Sequence, residues 1–514
     1  MRRGAKRSGR GQRKLARVAD SLAHQLPWIN LVNPYPPLEP LSGDQLGAIH
    51  EASMTVLEDY GIEVLSERVR ASFRGAGARV DDSHGIVRPD RELVLDLVAR
   101  APGAFSLTPR NPNRQLEVGG AHIHFGMVSG PPNVHDCVNG RRPGNFADYE
   151  RLVQLGQTFN AIHFFGNQSV APIDLPAQTR HLDTYRASLI LSDKVFSAVP
   201  IGRGRVRDAV EMVARARGLS LGELAISPSL FGNININSPR KLDEAMSEGA
   251  LALAEYGQAV IVTPFTLMGA MTPVTLAAGL VQQNAEALFG IAMVQLFFPG
   301  TPVVYGGFTS NVDMRSGAPA FGTPENAKAN LAGGQLARHY GLPYRSSGCN
   351  ASNTADAQAV YETQMSLWSA VLGNGNLLYH AAGWLEGGLV ASFEKVIIDV
   401  EMLQNLTCLF SKPKVNTEEL ALDTIGAVPP GGHFFGTEHT MQRYESAFYQ
   451  PLLSDWQNNE SWVEAGAKDA TQRATDLWQQ AIHSFEPPPI DPGRLEAIDE
   501  YVEKRKHEIG SGEP

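Results

Sequence analysis

Eight short β-rich runs alternate with helix-length segments between residues 121 and 405. Such alternation predicts parallel strands joined by crossover helices, because parallel neighbours need a long connection. Eight repeats over about 280 residues are typical of a (β/α)₈ barrel, which needs roughly 250 residues. An open, doubly wound sheet is the alternative, but no G-x-G-x-x-G follows the first run. The predicted strands are His122–Met127, Ile162–Gln168, Val195–Pro200, Leu230–Asn237, Ala259–Thr266, Pro302–Phe308, Tyr344–Cys349 and Leu377–Gly383, and helices are predicted, for example, over Ser238–Tyr256, Thr275–Phe298 and Thr323–Tyr340.

The remaining segments are arranged around this barrel. We predict an α/β fold: a TIM barrel with an N-terminal α+β lead-in and a C-terminal helical extension. Ser42 and Gln45 form a capping box that predicts the first helix of the lead-in. The predicted parts are a basic disordered tail and proline-rich arm over 1–40, the lead-in over 41–120, the catalytic barrel over 121–405 and the extension over 406–514.

Charge and cysteine content limit the compartment and the partners. Residues 1–17 hold eight Arg and Lys and no acid, in a chain whose net charge is −10. Such a tail is typical of a solvated, disordered leader, and we expect no specific nucleic-acid partner. No apolar run reaches the length of a membrane span, and no secretory signal is evident. The three cysteines lie far apart, which favours a reducing, cytoplasmic setting.

The stretch from Gly341 to Glu401 is the richest in side chains suited to a site. A strand ends in a small, polar loop containing Asn350, and Thr354 is the predicted N-cap of the next helix. The last predicted strand then delivers His380 and Trp384 to its C-terminal end, where TIM barrels build active sites. The two residues are four apart, so in an extended strand both side chains point to the same side.

Three asparagines occupy alternate positions of the fourth predicted strand. Asn233, Asn235 and Asn237 alternate with Ile234 and Ile236. In a barrel the isoleucines would meet the helices and the amides would line the lumen. The amides could bind a ligand at the mouth, or could satisfy one another as a buried polar network.

Aromatic and amide groups, with few charges, occupy the predicted strand ends. This composition favours a cationic or neutral substrate held by ring faces and amide dipoles, and quaternary ammonium groups are the familiar target of such cages. The alternative is that His380 is a core histidine and Trp384 closes the barrel. We assign His380 and Asn350 as candidate catalytic residues and Trp384, Phe308, Phe265, Asn235, Asn237 and Gln168 as candidate substrate-binding residues; Phe165 and Asn167 belong to the same predicted mouth.

Common catalytic templates are missing. We find no serine nucleophile elbow, no HExxH, no phosphate-binding glycine loop and no Cys/His cluster at zinc spacing. His433 and His439 could be metal ligands or part of a lid, but two histidines without a third ligand are weak evidence, and we expect no metal. Cys349 could be a nucleophile, although a buried, apolar thiol is the commoner case.

Several motifs, in order, resemble those of a known family. They are ASMTVLEDYGIEV, HIHFG, DCVNGRRPGNFADYERLVQLGQTFNAIHFFGNQ, SNTADAQAVYETQMSLWSAVLGNGNLLYHAAGWLEGGLVASFEKVIIDVEML, and GHFFGTEHT followed by YQPLLSDW. Between about Pro40 and Gly466 the chain resembles the trimethylamine methyltransferase superfamily of corrinoid-dependent methyltransferases. The trimethylamine enzymes carry pyrrolysine in the barrel, whereas this chain has only standard residues, with Thr354 in the corresponding slot. It therefore resembles the non-pyrrolysine branch, which includes glycine betaine methyltransferases.

The resemblance implies an activity. It implies methyl transfer from a quaternary amine such as glycine betaine to cob(I)alamin carried by a separate small corrinoid protein. It also leads us to expect a homo-oligomer. The D-x-H-x-x-G corrinoid motif is absent, since Asp82 and His84 have the wrong spacing, so cobalamin would have to arrive on that partner. Two alternatives stay open: a non-catalytic or sensory binder of quaternary amines on the same barrel, and an unrelated barrel lyase or aldolase.

Overall fold

A closed barrel of eight parallel strands forms the centre of the protein. The computed structural model describes residue 22 and residues 25–511, so the basic tail predicted over 1–17 lies outside the described residues. The eighth strand pairs with the first, which closes the sheet into a barrel as predicted. The strands are β1 (His122–Met127), β2 (Phe164–Phe165), β3 (Val195–Ala198), β4 (Phe231–Ile234), β5 (Ala259–Val262), β6 (Val303–Gly306), β7 (Tyr344–Ser347) and β8 (Leu377–Ala382).

One principal helix follows each strand and covers the outside of the barrel. Because both faces of the sheet are buried, most of the strands are rich in aliphatic and aromatic residues; β7, with Arg345, Ser346 and Ser347, is an exception. The predicted helices after the fifth and sixth strands are confirmed to within a residue at each end. The helices are α1 (Phe146–Thr158), α2 (Arg180–Leu191), α3 (Arg203–Arg217), α4 (Glu244–Glu255), α5 (Leu276–Phe297), α6 (Pro324–His339), α7 (Ala357–Leu372) and α8 (Phe393–Leu409), with a short helix, Leu221–Ala225, between α3 and β4.

Segments before and after the barrel pack on its outer helices. The capping box at Ser42 is confirmed, and the first lead-in helices pack on α5. Helix Ala470–His483 packs on α8 and α1, and helix Pro492–Ser511 packs on α2 and α3. No helix of the described residues is long and apolar enough to cross a bilayer. The lead-in comprises helices Gly43–Thr55, Val56–Tyr60 (a π-helical turn), Glu67–Gly75 and Arg91–Val98 and strands Ile62–Val64, Arg79–Asp81 and Ile86–Arg88, which form a sheet with Lys241–Leu242. The other helices are Pro112–Arg114, Glu386–Gly388, Thr417–Leu420, Leu422–Ala427, Glu438–Met441 and Asn459–Glu464.

The N-terminal end of the barrel is closed by packing. A hairpin, Ala104–Leu107 with Leu116–Gly119, inserts Leu107 and Leu116 among residues from the starts of the barrel strands. Strand Leu31–Val32 of the proline-rich arm pairs antiparallel with the beginning of β1. A ligand must therefore enter from the opposite end, where the strands terminate.

Two small sheets flank the C-terminal end of the barrel. One consists of Phe265–Met268, Phe308–Val312 and Pro319–Ala320, and the other of Asn133–Asp136, Gly140–Pro143, Trp384–Leu385 and Val390–Ser392. The predicted strands Ala259–Thr266 and Pro302–Phe308 are therefore each split into a barrel strand and a strand of the first flanking sheet. Both strands are interrupted at special residues. Pro264 has no backbone N–H for the hydrogen-bond ladder. At Gly306 the backbone passes so close to Thr263 that a Cβ atom would come within 2.1 Å of the Thr263 hydroxyl oxygen.

Two predicted boundaries on β4 and α7 are wrong. Strand β4 ends at Ile234, three residues earlier than predicted, because its next residues leave the barrel ladder. The N-cap of α7 is Asp356 instead of Thr354, since the Asp356 carboxylate accepts from the amides of Gln358 and Ala359. A carboxylate suits the positive end of a helix.

The end of β8 is bent and is held by a buried ion pair. His380 has φ +57° and Gly383 has φ +95°, with a register shift between β8 and β1, so the extended geometry predicted for this segment is wrong. On α8, Lys395 and Asp399 form an ion pair with both side chains fully buried. Asp399 accepts from the Gly383 amide at 2.8 Å, and Lys395 donates to the Thr363 hydroxyl at 2.9 Å. The pair therefore fixes the backbone that carries the residues after β8.

Removing one member of this pair should destabilise the protein strongly. We expect Lys395→Met to lower the free energy of unfolding by about 3–5 kcal/mol, because Asp399 is left as an unpaired buried charge. The matched control, Lys504→Met, breaks an exposed pair with Glu508 and should cost less than about 0.5 kcal/mol. Urea denaturation followed by circular dichroism measures both. Equal shifts in the two variants would contradict this role for the pair.

Candidate active site

Five rings meet at the open end of the barrel. Phe308 lies at the centre of the group, with its ring centroid 5.0 Å from Phe265, 5.2 Å from Phe321, 6.0 Å from His380 and 6.3 Å from Trp384. Phe265 and Phe308 are half-buried, whereas the other three rings are buried. We call these five residues the ring cluster. It joins the first flanking sheet to the end of β8, and it brings together four of the predicted site residues.

Trp384 is held from two directions by Asn350. The indole Nε1 donates to the Asn350 carbonyl at 3.0 Å, and the Asn350 amide donates to the Trp384 carbonyl at 2.6 Å. The same amide donates to Thr363, which connects it to the Lys395–Asp399 pair. Asn350 is fully buried, so the structure places it behind the indole.

His380 contacts Trp384 directly, with ring centroids 4.2 Å apart. The two predicted neighbours therefore do meet, although a bend in the backbone brings them together instead of an extended strand. Burial, with a smaller contribution from the Arg345 charge, holds the pKa of His380 well below its usual range. His380 is therefore a neutral imidazole at physiological pH.

Arg345 is a site residue that the sequence analysis missed. Its guanidinium carbon lies 4.5 Å from the Tyr379 ring centroid and 5.0 Å from that of Phe308. Its Nη2 lies 3.4 Å from His380 Nε2, and its side chain is 2% exposed. The available signal was a charged residue inside a run predicted to be a buried barrel strand, because arginine is almost never fully buried without a partner.

Phe321 was also missed, and it lies in the loop that leads to α6. Its ring stacks on Phe308 and meets Trp384 edge to face at 6.1 Å. No periodic pattern marks this residue, because its position depends on the pairing of Pro319–Ala320 with the strand that begins at Phe308. Such pairing is a tertiary feature that a local sequence pattern does not encode.

An aromatic layer fills the lumen below the cluster. Phe164, Phe231 and Tyr379 form this layer, with centroids 5.1–6.0 Å apart. Arg345 lies over Tyr379, between the layer and the ring cluster. The layer closes the site on its N-terminal side, so a ligand at Arg345 would be enclosed by rings on several sides.

The amide residues of β4 have mixed positions. Ile234 and Ile236 pack outward among the helices, as predicted. Asn233 donates to the side chain of Asn235 at 3.2 Å, so at least this pair forms an internal polar contact. Asn237 does not reach the ring cluster as a lumen residue, because it is exposed, donates to Asp243 and pairs through its backbone with Lys241.

The β2 loop contributes less than the sequence suggested. Gln168 is half-buried, and its carbonyl accepts from the amide of Gly130. The Ser129 amide lies 3.3 Å from His380 Nδ1, so the loop after β1, which Gln168 contacts at Gly130, lies beside the site. Phe165 points outward, since its ring packs against Gly156 of α1, and it is not a mouth residue.

The remaining candidates are not members of the ring cluster. Burial raises the pKa of the Cys349 thiol, which makes it a poor nucleophile because the thiolate is the reactive form. His433 is exposed, and among the described residues no three His, Cys, Asp or Glu side chains are grouped as metal ligands. The run Gly218–Gly222 has the G-x-S-x-G spacing, but its Ser220 is the N-cap of a short helix that follows α3, not a strand-to-helix elbow.

The chain matches one protein family over nearly its whole length. The family model for trimethylamine methyltransferase (MTTB) matches residues 6–510. A glycine betaine methyltransferase of Desulfitobacterium hafniense (strain Y51) is 37% identical over 471 residues, 91% of this chain and 98% of the relative. A trimethylamine methyltransferase, MttB, of D. hafniense (strain DSM 10664 / DCB-2) is 29% identical over 474 residues, 91% and 94% of the two chains. The solved monomethylamine methyltransferase of Methanosarcina barkeri is more distant, with 10% identity and a TM-score of 0.44 over 87% of this chain and 93% of that one.

The thiols should differ sharply in reactivity. Cys137 is exposed, Cys408 is half-buried and Cys349 is buried. We expect a thiol reagent at pH 8 to modify Cys137 first and Cys408 more slowly, and to reach Cys349 only in denaturant, as measured by mass spectrometry. Cys349→Ala should leave the native labelling unchanged and remove one site in denaturant. Labelling of Cys349 in the native protein as fast as that of Cys137 would show an accessible thiol.

Proposed function

Since the chain belongs to the trimethylamine methyltransferase (MTTB) family, we propose that it transfers a methyl group from a quaternary amine such as glycine betaine to the Co(I) corrinoid of a separate corrinoid protein. The family and the names of the relatives support the coarser statement, methyl transfer from a methylated amine. The finer proposal depends on the residues at the open end of the barrel.

The ring cluster is the observation that carries the proposal. Quaternary ammonium groups bind at ring faces, where the quadrupole attracts a cation without hydrogen bonds. A trimethylammonium group has no N–H to donate, so a pocket of rings suits it better than one of carboxylates. Phe265, Phe308, Phe321 and Trp384 supply such rings from three different segments of the chain.

A quaternary nitrogen also simplifies the chemistry that the residues must perform. The nitrogen is already cationic and leaves as a neutral tertiary amine, so no side chain has to protonate it. This agrees with a neutral His380 whose pKa is depressed by burial. The residues at the mouth need only desolvate the donor and orient one methyl group toward the acceptor. We propose that Asn350, which we had assigned as catalytic, instead positions Trp384, because it is fully buried behind the indole.

The methyl acceptor is a second substrate, carried by a partner. Cob(I)alamin supplies a strong nucleophile that attacks the methyl carbon in line with the departing nitrogen. Phe265 and Phe308 are half-buried while the other rings are buried, so we propose that the donor's methyl is approached past these two residues. The flanking sheets would then form the surface that meets the corrinoid protein.

The cellular setting is part of the same proposal. The three cysteines are unpaired, which supports a reducing, cytoplasmic compartment. Several large apolar residues are exposed on the segment after α8, among them Leu422, Phe435 and Phe448, and we propose that a second subunit covers them in a homo-oligomer. Residues 121–405 remain the proposed catalytic domain.

A non-catalytic binder of quaternary amines is the alternative function. The same ring cluster would serve a sensor, since fold and binding site do not fix activity. The two functions differ in product: an enzyme converts glycine betaine and cob(I)alamin to dimethylglycine and methylcob(III)alamin, whereas a sensor binds betaine and releases it unchanged.

Loss of the indole should weaken donor binding. A desolvated cation–π contact contributes about 2 kcal/mol, so Trp384→Leu should raise the Kd for glycine betaine roughly 30-fold and slow dimethylglycine formation with free cob(I)alamin. Trp456→Leu, at an indole that is 69% exposed, is the matched control and should leave both quantities unchanged. Calorimetry gives the Kd, and proton NMR follows the product.

The outcomes separate the alternatives. Wild-type affinity and rate in a folded Trp384→Leu variant would rule out this site. Tight binding of glycine betaine by the wild type, without any dimethylglycine in the presence of cob(I)alamin, would favour the sensor over the enzyme.

A further inference from the structure

Arg345 carries a buried charge that the protein leaves uncompensated. Its side chain is 2% exposed and forms no ion pair with any carboxylate of the described residues. The ionisable groups that face it are the Tyr379 and Tyr344 phenols, the Cys349 thiol and the His380 imidazole, all neutral at physiological pH. Arginine stays protonated even where burial lowers its pKa. A buried, unpaired cation lowers the free energy of unfolding by several kcal/mol. A charge kept at this expense of stability indicates a function for Arg345.

The hydrogen bonds of Arg345 are also incomplete. Nη1 donates to the Gly307 carbonyl at 3.3 Å, and Nη2 lies 3.4 Å from His380 Nε2. Both contacts are near the upper limit for an N–H donor. Nε is buried and has no hydrogen-bond partner among the residues that the structure describes. A guanidinium normally uses Nε and Nη2 together as a fork for a carboxylate, and here that fork lacks its acceptor.

His380 adds a second donor to the same place. Its Nδ1 faces the Ser129 amide at 3.3 Å, and its Nε2 faces the Arg345 guanidinium. A neutral imidazole accepts at one nitrogen only, so both contacts cannot be hydrogen bonds at once. With Nδ1 accepting from the fixed backbone amide, the Nε2 proton points at the guanidinium. Two donors then face each other, and an anionic oxygen between them would satisfy both.

We propose that Arg345, with His380, binds the carboxylate of a zwitterionic donor and thereby selects betaines over quaternary amines that lack an acid group. This inference rests on the proposed function, because it assigns the far end of the same substrate. The carboxylate accepts from the Arg345 fork and from His380 Nε2–H, and it neutralises the buried charge. The ammonium group then lies against the ring cluster.

The same charge works against other amines. A quaternary amine without a carboxylate, such as choline, would bring a second cation beside an uncompensated guanidinium, and like charges in a site of low dielectric repel strongly. Arg345 and the ring cluster also share one ring, Phe308. The anion and cation subsites therefore adjoin, which favours α-amino-acid betaines over longer zwitterions such as γ-butyrobetaine.

Calorimetry on purified full-length variants tests this assignment. The wild type should bind glycine betaine and reject choline and γ-butyrobetaine. Arg345→Gln should raise the Kd for glycine betaine by roughly 30-fold or more, as expected when one partner of a buried charge pair is truncated, and should lose the preference over choline. Arg345→Lys keeps the charge but not the fork and should fall between the two. Arg74→Gln, at an exposed ion pair with Asp82, is the control and should behave as wild type.

Each outcome bears on a separate claim. Unchanged glycine betaine affinity in Arg345→Gln, or equal wild-type affinity for choline and glycine betaine, overturns the carboxylate assignment and leaves the proposed function standing. A wild type that binds no quaternary amine overturns both. If Arg345→Gln fails to fold, the wild-type preference and Arg345→Lys decide: equal affinities, or a lysine variant identical to wild type, overturn the assignment.

Discussion

The buried pair of Lys395 and Asp399 is the interaction on which the candidate site depends most. The pair fixes the Gly383 amide and, through Thr363 and Asn350, the backbone and indole of Trp384. A positive φ at His380 is strained for a residue with a side chain and persists only where the surroundings impose it. The network on α8 supplies that constraint, and the bent end of β8 brings the imidazole against the indole instead of continuing along the barrel wall.

The site combines two opposite environments over a short distance. Rings with no charge of their own lie beside a guanidinium that has no counter-ion among the described residues, and Phe308 contacts both. A ligand with both charges completes this arrangement, because its ammonium meets ring faces and its carboxylate meets the cation. Burying the Arg345 charge without a counter-ion destabilises the protein, and a zwitterion whose carboxylate pairs with Arg345 removes this free-energy penalty on binding.

Local patterns in the sequence predict the barrel and part of the site. Alternating runs predict the eight strands, and Ile234 and Ile236 pack outward as period-two alternation requires. Features that depend on contacts between distant segments were not predictable. Asn237 turns away because Lys241 pairs with its backbone, β8 bends because Asp399 on the next helix holds Gly383, and Phe321 arrives through a strand pairing across a loop. The sequence shows Arg345 as a charged residue inside a predicted buried strand, but only the structure shows that no carboxylate of the described part of the chain lies beside it.

A crystal structure with glycine betaine bound tests the central claim most directly. We expect the carboxylate to lie within hydrogen-bonding distance of Arg345 and of His380 Nε2. The trimethylammonium group should lie against Phe308 and Trp384, with one methyl directed to the side where Phe265 and Phe308 are half-buried. A betaine bound elsewhere, or one with its ammonium beside Arg345 and its carboxylate among the rings, would contradict this account.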